Sequence, residues 1–192
     1  MAQQRLRTLA SHFTLAPTGG DESVTVAICS HTGGPHMTAY LDGLAATHAV
    51  GRVLLVDPDG AWVDEATARL SSKLAGVYTD VGEMLAAETP VMALVAYEAA
   101  LAPPIVAALL RGGCHVMAEK PSAVSSADIH ELAAIADAEN KLLMLALANR
   151  LLPEVLEAKR LIETGAIGKI FGVEAHMVAD QTRLTRAGYG GR

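Results

Sequence analysis

The chain has 192 residues, 51% of them hydrophobic and 19% charged, with a formal net charge of −6. That length and composition suit one core-forming domain, or one domain and part of a second, and exclude a disordered linker. The acidic balance argues against a nucleic-acid binder, which needs surplus Lys and Arg to displace counterions.

Residues 1–20 read as a loose leader that closes on Pro17-Thr18-Gly19-Gly20. Arg5 and Arg7 hint at a transit peptide, but no apolar run of useful length follows, so a frayed terminus is the expectation. From residue 21 an alternation begins. Val24–Ile28 is a β-branched run read as a strand, a glycine-bearing loop follows, and Met37–His48 has helical character. Arg52–Asp57 is the second strand, Val63–Leu74 the second helix, Gly76–Tyr78 a short third strand and Val81–Ala87 a short helix. Val91–Leu110 has the length of a membrane span with one charge, Glu98. Pro103-Pro104 breaks it, so a buried strand over Val91–Ala96, a loop and a proline-started helix are expected instead. Arg111-Gly112-Gly113 ends that helix, and Cys114–Ala118 is the fifth strand. Ser125-Ser126-Ala127-Asp128 starts a helix that runs to Asn140. Leu142–Leu147 is a sixth strand whose continuous apolarity predicts cover on both faces, with Met144 filling a core gap.

Short strands alternating with helices are βαβ units, which give a doubly wound parallel sheet of the α/β class. The expected boundaries are a dinucleotide-binding domain over 21–148 and the start of a second α/β domain over 149–192. Within the latter, Leu152–Thr164 is a helix with Pro153 at its start and Gly165 past its end. Lys169–Val178 alternates as a half-buried strand, with Phe171, Val173, Ala175 and Met177 on the apolar face. Such a strand needs partners from elsewhere, so its free edge invites a homo-oligomer through the C-terminal region.

The turn after the first strand, from Cys29 and His31 through Gly33 and Gly34, is where such a fold receives a pyrophosphate. Backbone N–H groups at a helix N-terminus meet the anion, and glycines let it approach. In the register of G-x-G-x-x-G the three glycines fall on Cys29, His31 and Gly34, and only the last is glycine. Asp57, at the end of the second strand, stands where an acid binds the adenosine ribose and disfavours the 2′-phosphate of NADP. Alternatively it serves the Asp57-Pro58-Asp59-Gly60 turn. Lys120 follows the fifth strand and points to the cleft at the strand ends, unless it is a plain surface lysine. Cys29, His31 and His36 match no recognised zinc spacing, so no metal is expected. The two cysteines are too few for a disulfide scaffold and suit a reducing cytoplasm.

His115-Val116-Met117-Ala118-Glu119-Lys120-Pro121 resembles the "HV-x-x-EKP" signature of the Gfo/Idh/MocA oxidoreductases, the glucose–fructose oxidoreductase and inositol dehydrogenase group. Val77-Tyr78-Thr79-Asp80 resembles that family's third strand. Asn149–Pro153 and Leu161–Ile170, with its "I-x-x-G-x-I-G-K-I" pattern, resemble the passage into its second domain. The resemblance covers roughly residues 24–180. It implies an N-terminal Rossmann domain that binds NAD(P), with Asp57 favouring NAD over NADP. A C-terminal domain would hold the substrate, a small molecule such as a sugar or polyol, and the reaction would be hydride transfer at a carbinol carbon. It implies Lys120 as the catalytic acid/base and Glu119 as a contact to the nicotinamide ribose. Pro121 is expected after a cis peptide bond, and neither nucleic acid nor membrane is a partner.

The chain departs from that pattern in two places. The family's "T-P-N" after the fourth strand is Tyr97-Glu98-Ala99 here, which places Tyr97 on the nicotinamide side and adds an acid near the phosphates. The family's later Asp/His pair is not matched by His176 or Asp180, so the chain reads as an N-terminal part. These departures keep a second function class open, a non-catalytic relative that retains the nucleotide fold as a sensor or scaffold.

Overall fold

A computed structural model describes residues 23–176; the expected leader over 1–20 lies outside them. Six strands form one parallel sheet in the order β3-β2-β1-β4-β5-β6. They are β1 (Val24–Ser30), β2 (Val50–Val56), β3 (Leu74–Tyr78), β4 (Met92–Ala96), β5 (His115–Ala118) and β6 (Leu143–Leu145). Helices α1 (Met37–Ala46), α2 (Val63–Leu70), α3 (Val81–Ala87), α4 (Ala102–Arg111) and α5 (Ser126–Ala138) connect them, and α6 (Pro153–Glu163) follows. The order reverses between β1 and β4, and this switch point is where a doubly wound sheet opens a crevice at its C-terminal strand ends. No helix among the described residues is long and apolar enough to cross a membrane.

Alternate residues of each strand feed two separate cores. Val26, Ile28, Val53, Leu55, Leu94 and Ala96 pack on Met37, Leu41 and Leu44 of α1 and on Ala66 and Leu70 of α2. Ala27, Cys29, Leu54, Val56, Val95 and Val116 pack on the other face against Met84, Leu109, Leu110 and Leu132 from α3, α4 and α5. Both faces are covered, which is why the central strands read as unbroken apolar runs. The expected second helix is shorter than its pattern. It ends at Leu70 and a 3-10 turn over Ser71–Lys73 follows. Lys73 then donates through Nζ to the carbonyls of Leu44, Ala45 and Thr47, at 3.1, 2.7 and 2.9 Å, closing the C-terminus of α1.

Two expectations fail at the C-terminal side. β6 is an edge strand, and Met144 is 52% exposed instead of filling a core gap. Its neighbours Leu142 and Leu147 are exposed as well, because α5 lies against only one side of the strand and nothing among the described residues covers the other. Lys169–His176 carries no strand, and Phe171 is 98% exposed. A strand exists only when a neighbour takes its N–H and C=O groups, and no described segment does so here. Residues 177 and 178 of the expected strand lie outside the described residues. α6 forms as expected, with Pro153 in its first turn, but buries none of its side chains.

Candidate functional site

The C-terminal ends of β1, β4 and β5 lie side by side, with Ser30 opposite Ala96 and Val95 opposite Ala118. Hydrogen bonds hold the first two ends together. Tyr97 Oη donates to the Ser30 carbonyl at 2.9 Å, and Ser30 Oγ donates to the Ala96 carbonyl at 3.3 Å. The loop from His31 to His36 rises from this junction. Gly34 is glycine by necessity, because a Cβ there would lie 1.9 Å from Ser30 Oγ and 2.8 Å from the Ala96 carbonyl oxygen. The surviving glycine of the motif is thus the one that lets loop and strand end touch.

His31 is held from several directions. Its ring tilts against Tyr97 with centroids 4.6 Å apart. Its Nδ1 accepts from Gly33 N at 3.3 Å, which leaves Nε2 as a donor to Glu98 Oε2. Its carbonyl accepts from the Trp62 indole at 2.8 Å. Thr32 donates through both its N–H and its hydroxyl to Asp59 Oδ2, at 3.1 and 2.9 Å. These two bonds hold the Asp59 carboxyl below the usual range. Gly33 is open on one side only, since the Glu98 carboxylate lies against it.

Asp57 directly follows β2 and is buried. Its Oδ2 accepts from Trp62 N at 2.7 Å, which is the expected turn role, while Oδ1 is buried with no partner. The turn therefore uses one of its oxygens and leaves the other without a donor. A buried carboxylate oxygen without a donor is costly unless something supplies one.

At the other end of the loop Glu119 is 4% exposed, with both its oxygens engaged. Oε1 receives Tyr40 Oη at 2.5 Å and His36 Nδ1 at 2.7 Å, and Oε2 receives Lys120 N at 3.1 Å. Burial and the Glu119 carboxylate push the Tyr40 phenol well above its usual range. Lys120 itself is exposed, and the bond to Pro121 is cis, as expected.

The structure thus brings His31, Gly33, Gly34, Asp57 and Tyr97 together around one loop, and Glu119, followed by Lys120 and Pro121, joins the end of that loop through His36. Cys29 differs from its expected place. It lies inside β1, 0% exposed, and burial drives its thiol far above the ordinary range. Its side chain belongs to the core and only its backbone is near the loop. Tyr97 is also inward-facing, 8% exposed, and burial ahead of the surrounding acids pushes its phenol up to about 12. Sequence reasoning passed over Tyr40, Trp62 and Asp59. For Tyr40 a signal existed, since His36 and Tyr40 are one helical turn apart and share a face. Among the described residues no group of three or more His, Cys, Asp or Glu is arranged to hold a metal ion.

A family model described as "Oxidoreductase family, NAD-binding Rossmann fold" matches residues 24–147. An uncharacterised oxidoreductase of Schizosaccharomyces pombe is 30% identical over 133 residues, covering 67% of this chain and 36% of that protein. The chain thus spans about a third of the length of the curated relatives it matches. The scyllo-inositol dehydrogenase of Lactobacillus casei, solved with NAD(H) and scyllo-inositol, superposes with a TM-score of 0.66 at 19% identity, over 76% of this chain and 42% of that one. GenD2 from gentamicin A biosynthesis, solved with NAD, superposes at 0.66 with 27% identity, over 79% and 43%. The matched range takes in all six strands, the glycine loop, Asp57 and the Glu119-Lys120-Pro121 turn, and so the chain belongs to the Gfo/Idh/MocA oxidoreductase family, with its NAD-binding Rossmann fold.

Proposed function

We propose that the chain is the cofactor-binding part of an oxidoreductase that transfers a hydride between NAD and a carbinol carbon of a sugar, polyol or related small molecule. The observation that carries this reading is the unpartnered buried oxygen of Asp57, at the end of β2 beside a glycine loop. A ribose hydroxyl would give that oxygen its missing donor, and a 2′-phosphate would set a second anion against it. NAD is therefore preferred over NADP. Gly34 supports the same fit, because the loop closes onto the strand end only without a Cβ. The nicotinamide, when bound, supplies the hydride acceptor.

The chain's own residues then have separate tasks. Lys120, exposed beyond the end of β5, would hold the substrate hydroxyl and take its proton. Glu119 would fix the wall beside it and reach the nicotinamide ribose if His36 gave way. Tyr97 would shape the glycine-loop side from beneath. Residues 21–148 would form the cofactor domain, and 149–192 would begin a substrate and oligomerisation domain. Two free cysteines, both buried, support a reducing cytoplasm as the setting. The polyol class rests on the inositol dehydrogenases among the structural neighbours.

Calorimetric titration of NADH and NADPH into the chain tests this reading. NADH should bind and NADPH should bind at least about tenfold more weakly, with Asp57→Ser narrowing the gap. Absence of NADH binding at millimolar concentration would sink it. The second reading, a relative that binds nucleotide without turnover, is favoured by the two carboxylates, Asp59 and Glu98, that crowd the loop. A panel of polyols including scyllo-inositol separates the two. Reduction of NAD that Lys120→Ala abolishes, with NADH affinity retained, supports the enzyme and overturns the relative.

A further inference from the structure

We infer that Glu98 occupies the seat of the cofactor's pyrophosphate in the free chain, and that binding exchanges its carboxylate on His31 for phosphate oxygens. The inference rests on the nucleotide-binding reading and adds to it a built-in competitor that sets the affinity.

The geometry is specific. Glu98 stands two residues beyond β4, across the switch point from the glycine loop. A Cβ at Gly33 would lie 2.5 Å from Glu98 Oε1, so the carboxylate fills the space that the missing side chain leaves. Its other oxygen takes the one ring nitrogen of His31 that remains a donor. A carboxylate and a phosphate offer the same thing to such donors, anionic oxygens in a charge-assisted hydrogen bond. The loop thus binds an anion already, and that anion is its own.

Glu98 cannot stay in place when phosphate arrives. Two anions on one glycine and one imidazole repel each other, the more so beside Asp59, which holds Thr32 on the outer side of the loop. The exchange is mechanically simple. The Glu98 carbonyl accepts from Leu101 N and Ala102 N at 2.9 and 3.0 Å, which pins the backbone to the start of α4. The side chain is 27% exposed and can swing outward alone. His31 stays where Tyr97, Gly33 and Trp62 hold it, presenting Nε2 to whichever anion is there.

The test is calorimetric titration of NADH, and separately of inorganic pyrophosphate, into the full chain and four variants. Glu98→Gln should bind both ligands at least about tenfold more tightly than the wild type. Glu98→Asp, which keeps the charge but shortens its reach, should tighten binding by a smaller factor. His31→Ala should weaken both ligands. Glu131→Gln, on the outer surface of α5, should leave the affinities within about twofold and so excludes a bulk-charge effect. Glu98→Asp also carries the test if Glu98→Gln does not fold. A wild type that binds NADH, with Glu98 variants of equal or lower affinity, overturns the exchange and leaves the cofactor reading intact. If neither the wild type nor any Glu98 variant binds NADH at millimolar concentration, both readings fall.

Discussion

Leu54 and Leu156 are the same side chain in opposite circumstances. The first, in β2, is 0% exposed between the sheet and its helices, and the second, in α6, is 47% exposed with nothing upon it. Around Leu54 its strand neighbours Ala27, Leu55 and Val56 are buried under helices as well. Around Leu156 an equally regular stripe, Leu152, Val155 and Ile162, meets solvent. The pattern of a sequence records what an element needs, and only the fold shows whether the need is met. The sheet body holds itself together, whereas the stretch from β6 onward leaves its apolar residues exposed.

Substitutions in the two regions should therefore differ most. Leu54→Ala should cost about 2–5 kcal/mol by urea denaturation, through lost burial and an unfilled cavity. Leu156→Ala should change stability by no more than about 0.5 kcal/mol. Equal losses at the two positions would break the contrast. Next comes the rim of the crevice, which belongs to the body. Tyr40→Phe removes a donor from the buried Glu119 carboxylate and should cost about 1.5–3 kcal/mol. If the cost is nil, water replaces the phenol there and the rim is softer than the core. Gly34→Ala should cost about 1–3 kcal/mol by overpacking. Ser30 Oγ can rotate away from the new methyl, but the Ala96 carbonyl is fixed in the β1–β4 ladder. A Gly34→Ala chain as stable as the wild type would show that the loop can lift off the strand ends.

The smallest effect lies between the regions, at His115. Its Nδ1 accepts from Leu142 N at 3.0 Å, joining β5 to the approach of β6. Burial first, and then nearby Lys141, hold its pKa below the usual imidazole value. The unfolded chain therefore takes up a proton at a higher pH than the folded chain. Stability from this group is present above the ordinary imidazole pKa and is lost as the pH falls through that value towards the folded one. Melting temperatures of the wild type should drop over that window more than those of His115→Asn, which retains an acceptor without titrating. Identical pH profiles would show that the Leu142 contact does not sense protonation.

Much of the body was legible from the chain alone. Val24–Ile28, Val53–Val56 and Met92–Ala96 are apolar runs between turns, and they read as buried strands because both faces are in fact covered. Asp57 and Lys120 were legible as strand-end positions, since Asp57 directly follows β2 and Lys120 lies two residues beyond β5. β6 misled for the same reason that β1 did not, since unbroken apolarity looks alike with a partner on both faces or on one. The Glu119 cluster was not legible as a unit. His36 and Tyr40 are one helical turn apart, but their acceptor lies far along the chain, and only the sheet order brings β5 over α1. Glu98 could be noticed as an acid out of place, yet its pairing with His31 depends on a loop shape that the missing glycines left open.

Trp62 is the chain's single tryptophan. Its backbone N–H donates to Asp57 and its indole to the His31 carbonyl, so the only strong intrinsic fluorophore bridges two groups of the proposed cofactor site. Every photon excited selectively in indole thus originates between the β1 and β2 turns. The unmodified protein therefore carries its own optical probe of that junction, readable by stopped flow without a label, a second tryptophan or a correction for distant emitters.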